Sequence, residues 1–188
     1  MDREAVVNAI RKFQTIFSVL IFILITALCW AVTGFKITEI QLSYWSKIEG
    51  ISYFWNGALI LIGISTWINQ WMWLENYSRM PIKSVPKILC SIISACLILT
   101  GAFNMDWEFL HNLFAFSYFL GYPLVIFVIA YLNRAHIKWS HWIQMILIST
   151  SMIIFPLVLI PIWKGMAPSE IVHSALVIWW NLWILKTR

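Results

Sequence analysis

Residues 110–132 read LHNLFAFSYFLGYPLVIFVIAYL, twenty-three positions without one Asp, Glu, Lys or Arg. A stretch this long and apolar matches the roughly 20 residues a helix needs to cross a bilayer. A spanning segment must satisfy its own backbone hydrogen bonds, so it is a helix rather than a strand. Five further stretches resemble it: Phe13–Phe35, Ile51–Leu74, Ile88–Asn104, Trp142–Trp163 and Ser169–Leu185. The chain is therefore expected to be an all-α integral membrane protein, a single domain of six transmembrane helices over residues 1–188. The connections are short, and the longest, Lys36–Gly50 and Glu75–Lys87, leave no room for a soluble domain. The first stretch exceeds a signal-peptide core and lacks an Ala-x-Ala cleavage site, so it is read as retained.

Composition supports this. Of 188 residues, 61% are hydrophobic and 11% charged, against about 25% charged in a soluble domain. The net charge of +5 does not indicate nucleic acid, because the basic residues gather at helix ends rather than on one polar element. Ten of the thirteen Lys and Arg fall on one side of the expected topology. The positive-inside rule then puts both termini in the cytosol, and an even number of helices agrees. The sequon Asn76-Tyr77-Ser78 falls on the cytosolic side and is expected to stay unmodified. Most of the thirteen tryptophans cluster near the two interfaces, where an apolar ring with one N–H sits well. Cys29, Cys90 and Cys96 lie inside apolar stretches as packing residues, with no Cys-x-x-Cys among them.

The chemistry-bearing words are Glu108-Phe-Leu-His111 and Glu170-Ile-Val-His173, each at the start of an apolar helix. Ionisable residues in such helices are costly and point to function. Residues at i and i+3 share one side of a helix, so each pair can act together. Glu39, Glu49 and Asp106 belong to the same outer face, with Asn56 and Asn112 about a turn inside. Three chemistries fit. Glu108, His111, Glu170 and His173 could ligate zinc or iron, following the Glu-x-x-His logic of di-metal bundles. His111, oriented by Asp106 or Glu108, could act as a base on a lipid headgroup. Asn56, Asn112 and Glu39 could line a ligand site or a cation-attracting vestibule. Against these stands a simpler account, since acids in the first helical turn favour the helix dipole. No Gly-x-Ser-x-Gly, His-Glu-x-x-His or phosphate loop is present. Two histidines alone are a poor basis for haem. Asn56, Asn69, Gln70 and Asn181 read as interhelical hydrogen-bonding groups, and Pro123, Pro156 and Pro161 as kinks.

Phe54-Trp55-Asn56-Gly57-Ala58-Leu59-Ile60-Leu61-Ile62-Gly63, together with Leu99-Thr100-Gly101-Ala102-Phe103-Asn104, Asp106 and His111-Asn112, resembles the bacterial six-helix membrane family of unknown function numbered 998. It is similar also to the related DRAM, FRAG and Sfk membrane proteins. The resemblance implies six helices, a Gly-Phe/acidic/His junction between the third and fourth, and an acidic residue near the start of the last. Gly101, Phe103, Asp106, His111 and Glu170 hold those places here. Asn104 stands where the bacterial family often has proline. Lipid-related roles are what such a resemblance implies. Sequence therefore points to a lipid-handling membrane protein with an outward polar pocket at the tops of the second, fourth and sixth helices, or to a lipid-ester hydrolase using that pocket. The alternatives are a channel, transporter or small-ligand receptor, and a structural or regulatory membrane protein. Membrane lipids are the expected partners, with room for homo-oligomers. The expected location is a bacterial inner membrane or a eukaryotic endomembrane or plasma membrane.

Overall fold

The computed structural model describes residues 3–34, 41–76, 82–162 and 166–186. They form six long helices: α1 Arg3–Thr33, α2 Ser52–Asn76, α3 Ser84–Ala102, α4 Glu108–Leu132, α5 Trp139–Ile162 and α6 Ala167–Lys186. A 3-10 turn, Leu42–Lys47, precedes α2, and a second, Met105–Trp107, joins α3 to α4. No strand occurs among the described residues. The expected binding residue Glu39, the sequon's Tyr77 and Ser78, and the stretch ends Phe35 and Trp163 lie outside the described residues. Helix bounds lie within four residues of the apolar stretches, except that α1 begins ten residues earlier, at Arg3. A helix continues for as long as its backbone bonds do, whereas an apolar count stops at the first charges.

Four helices, Glu4–Thr33, Ser84–Ala102, Met105–Leu132 (α4 with its preceding turn) and Trp139–Ile162, are long and apolar enough to cross a membrane. The other two, α2 and α6, carry a polar stripe, and it faces inward. Ser65, Thr66, Asn69 and Gln70 of α2 are buried, while Leu61, Ile64, Trp67 and Trp71 on its other side are exposed. Ser169, His173 and Asn181 of α6 are buried, with Trp179 and Leu182 exposed. This inverts the pattern of a helix on a water-soluble protein, whose apolar stripe faces the core.

Each helix packs on its chain neighbours, and α6 returns to touch α1 and α2. At the α2–α3 crossing the two helices pack closely. A Cβ on Gly101 would stand 2.6 Å from the Asn56 carbonyl oxygen, and one on Gly63 would stand 2.7 Å from the Ile98 side chain. Glycine here lets two backbones approach closely, as small residues do between apolar helices.

Interfacial anchoring describes only part of the tryptophan set. Trp30, Trp71, Trp107, Trp139 and Trp179 are exposed, but Trp45, Trp55, Trp73 and Trp180 are buried. Trp45 meets Trp55 edge-on at 4.9 Å near one end of the bundle, and Trp73 meets Trp180 at 5.4 Å near the other. An indole is large enough to fill the widening gap where helices splay, so four of them became core.

Replacing Gly101 by leucine forces the α2 backbone away. Unfolding of the purified protein should show a loss of about 1–3 kcal/mol. An unchanged melting midpoint would mean that the crossing is looser than described.

A candidate lipid-binding cavity

The starts of α2, α4 and α6 share one end of the bundle, the outer end of the expected topology and so named below. The Leu42–Lys47 turn is folded over this end. Leu42, Trp45 and Ser46 are buried in it, and the Ser46 hydroxyl accepts the Met105 N–H at 3.0 Å, tying the turn to the α3–α4 junction. The Trp45 indole donates to Thr33 Oγ1 at 3.2 Å.

Glu170 holds the same turn from α6. Its Oε2 accepts the Leu42 N–H at 2.5 Å. Leu42 opens the 3-10 turn, and its amide has no partner within that turn. A carboxylate from another helix thus caps it, with the charge placed favourably at a helix start. His111 does the complementary job. Phe103 closes α3, so its carbonyl lacks an intrahelical donor, and His111 Nδ1 lies 2.7 Å from it. Only a protonated ring nitrogen donates to a carbonyl, so Nδ1 carries the hydrogen, and in the neutral ring Nε2 keeps a lone pair. The Thr100 main chain also borders the ring. His111 is fully buried, and its Nε2 has no protein partner.

Below this roof lies a cavity of about 90 Å³, open on one side. His111 and Glu170 line its outer end with Ser43 and Trp55, and Leu59, Ile62, Leu97 and Val177 form apolar walls. Asn181, Thr66 and Thr15 line the far end. From Glu170 to Asn181 is about 16 Å of helix at 1.5 Å per residue.

A polar clasp closes that far end. Asn69 Nδ2 donates to Asn181 Oδ1 at 2.9 Å, Asn181 Nδ2 donates to the Tyr122 hydroxyl at 3.2 Å, and Gln70 Nε2 also reaches Tyr122. This ties α2, α4 and α6 together, as the interhelical reading of these amides expects. Beyond it, Arg11 Nη2 donates to the Ile184 carbonyl at 2.5 Å. Ile184 is in the last turn of α6, where carbonyls lack partners and a cation is favourable. Ser65 Oγ donates to the Gln14 carbonyl at 2.8 Å, pinning α1 to α2.

One member of each Glu-x-x-His pair reaches the cavity. Residues three apart on a helix differ by about 60° in direction, and at both helix starts that angle crosses a boundary. Glu108 is exposed and does not line the cavity, while His111 three residues later is buried in it. Asp106 is also exposed, and its carboxylate accepts from Asn104 Nδ2 at 2.7 Å. The expected partners of His111, Asp106 and Glu108, are therefore replaced by a main-chain carbonyl. His173 turns from Glu170 into an aromatic nest, with ring centroids of Phe119 at 4.7 Å, Tyr118 at 5.9 Å and Tyr122 at 6.5 Å. The Met152 main chain borders it. Pro156 has no N–H, so that carbonyl lacks its helical donor.

Among the described residues no three His, Cys, Asp or Glu side chains group closely enough to hold a metal ion. The four-residue zinc or iron set of Glu108, His111, Glu170 and His173 does not fit. No hydroxyl is hydrogen-bonded to His111 among the described residues, so a serine or threonine nucleophile is not paired with it. Asn56 and Asn112 are half-buried and do not line the cavity, although Asn56 Oδ1 lacks a partner near Gly101. Tyr122, Arg11 and Gln14 went unnoticed in the sequence. Only Arg11 carried a signal, a cation adjoining an apolar stretch. No family model matches the chain, and no curated protein or solved structure does either.

Changing Asn181 to alanine strands Asn69 and weakens the hold on Tyr122, and should cost about 1–3 kcal/mol in reversible unfolding. Glu108→Ala, on the exposed rim, should stay within about 0.5 kcal/mol. The reverse order would refute this division of roles.

Proposed function

We propose that this chain is a six-span membrane protein with both termini cytosolic, and that its bundle holds a lipid by the chain. The observation carrying this is the graded cavity, with Glu170, His111 and Ser43 at one end and aliphatic walls below. A site for an amphiphile needs this gradation. Ligand sites are mostly apolar and carry a few placed polar groups. The exposed apolar sides of α2 and α6 favour six spans over four, since a helix that is apolar outside and polar inside suits a lipid surround. The excess of basic residues at the opposite end favours cytosolic termini.

Binding is preferred to hydrolysis. His111 is oriented for a proton-accepting role, but among the described residues no nucleophile is paired with it and no carboxylate is hydrogen-bonded to it. A selective ion path is disfavoured, because the far end is closed by the Asn69–Asn181–Tyr122 clasp and the middle is aliphatic.

Protein purified gently from membranes should carry a co-purified lipid in native mass spectra. Ala115→Phe, which fills the cavity wall, should lose that lipid with its thermal midpoint nearly unchanged. Equal lipid occupancy in both would contradict the reading.

A further inference from the structure

The six helices close into a ring, each packed on its neighbour in the chain and α6 returning to α1. Of the six seams, the one between α1 and α6 is the most lightly packed among the described residues. The cavity lies beside it. Ser18, Val19 and Phe22 of α1 and Ser174, Val177 and Ile178 of α6 line the cavity, whereas α5 supplies no lining residue. Of the four helices apolar enough to span a membrane, α1 also buries the smallest share of its apolar length.

The other approaches to the cavity are held shut among the described residues. At the outer end the Leu42–Lys47 turn is fastened to α1 by Trp45, to α6 by Leu42 and to the α3–α4 junction by Ser46. At the far end stand the Asn69–Asn181–Tyr122 clasp and the Arg11 bond to Ile184. Ser65 pins α2 to α1 at Gln14. Between α2 and α3, and between α3 and α4, the helices pack so closely that a Cβ on Gly101 would strike the Asn56 carbonyl and one on Gly121 would strike Ile93. Between α4 and α6 the His173 ring fills the gap against Phe119 and Tyr118. The middle of the α1–α6 seam has no comparable fastening. Ser18 spends its hydroxyl on the Gln14 carbonyl of its own helix at 3.0 Å, and Val19 and Phe22 have no polar group to offer.

Building on the lipid reading, we propose that the α1–α6 seam is a lateral gate, through which an acyl chain of a surrounding bilayer lipid enters the bundle sideways. The closed seam encloses about 90 Å³, far less than a lipid tail fills. The helices therefore part to admit a chain, and the head group stays outside in the membrane. Lipid tails are as apolar as the side chains they would displace. Parting the middle of the seam thus exchanges one set of apolar contacts for another and breaks no hydrogen bond. The fastenings at the two ends keep α1 in register while its middle moves.

The test uses the full-length chain with Cys29, Cys90 and Cys96 replaced by alanine and with Ser18→Cys and Ile178→Cys introduced. Both positions stand about two turns outward of the Arg11–Ile184 bond, hence at one depth. The protein is placed in phosphatidylcholine liposomes that contain a phosphatidylcholine with a photoreactive acyl chain, and labelled peptides are mapped by mass spectrometry. A short, reducible thiol bridge between the two cysteines should remove labelling of the cavity wall at Leu59 and Ala115, and reduction should restore it. Labelling at Leu120 and Leu124, exposed on the outside of α4, should be the same in both states. Unchanged labelling of Leu59 and Ala115 in the bridged protein would overturn the gate, as would a cysteine pair that the bridge cannot join in the bilayer. Ala115→Phe separates the gate from the reading beneath it. If the bridge had no effect but Ala115→Phe removed the Leu59 label, the cavity would remain a lipid site reached by another route. If Leu59 kept its label in Ala115→Phe, or took none in the unbridged protein, the lipid reading would fall with the gate.

Discussion

In the proposed six-span arrangement the helices are surrounded by hydrocarbon, which offers no hydrogen bonds. A polar side chain facing lipid goes unsatisfied, and many of the amides and hydroxyls of α2, α4 and α6 turn inward and pair across helices. Asn69, Asn181, Gln70 and Tyr122 form one such set. The helix ends obey the same rule. Arg11, Glu170 and His111 each reach another element to supply a partner that its terminus lacks. These contacts fix how α6 sits between α1, α2 and α4, and so fix the cavity.

The pairing is incomplete in several places: Thr26, Ser94, Trp142 and both ring nitrogens of His173 are buried without a partner among the described residues. At the far end the polar groups mostly find each other, and in the middle there are few to pair. At the outer end Trp55 Nε1 and His111 Nε2 are likewise buried without a partner. Glu170 and His111 have structural duties as well, so the site is built from groups that also hold the roof in place.

Much of the architecture was legible in the sequence. Six apolar stretches gave six helices, because length and hydropathy act locally. The interhelical use of Asn69 and Asn181 was also legible, since amides in apolar helices have few other options. Direction around the helix was not. Glu108 and His111 share a side by spacing, yet the burial boundary passes between them, and the edge of the cavity passes between Glu170 and His173. That boundary depends on how neighbouring helices pack. The simpler account of the acids was correct in part. Glu170 does serve a helix start, but the start belongs to the Leu42–Lys47 turn, which no local pattern connects to α6. Four tryptophans suited to an interface became core for the same non-local reason. Gly101, noticed first as part of a family motif, has its cause in the Asn56 carbonyl that a side chain would strike.

The central claim is that α2 crosses the membrane with its apolar side to lipid and its polar side to the bundle, although its composition is the less apolar. Spin labels placed singly along α2 in lipid nanodiscs, read for collision with oxygen and with a water-soluble nickel complex, measure this directly. Leu61 and Ile64 should be open to oxygen and closed to nickel, while Thr66 and Asn69 should be closed to both. Nickel access at Leu61 and Ile64 would place that face in water and contradict the account.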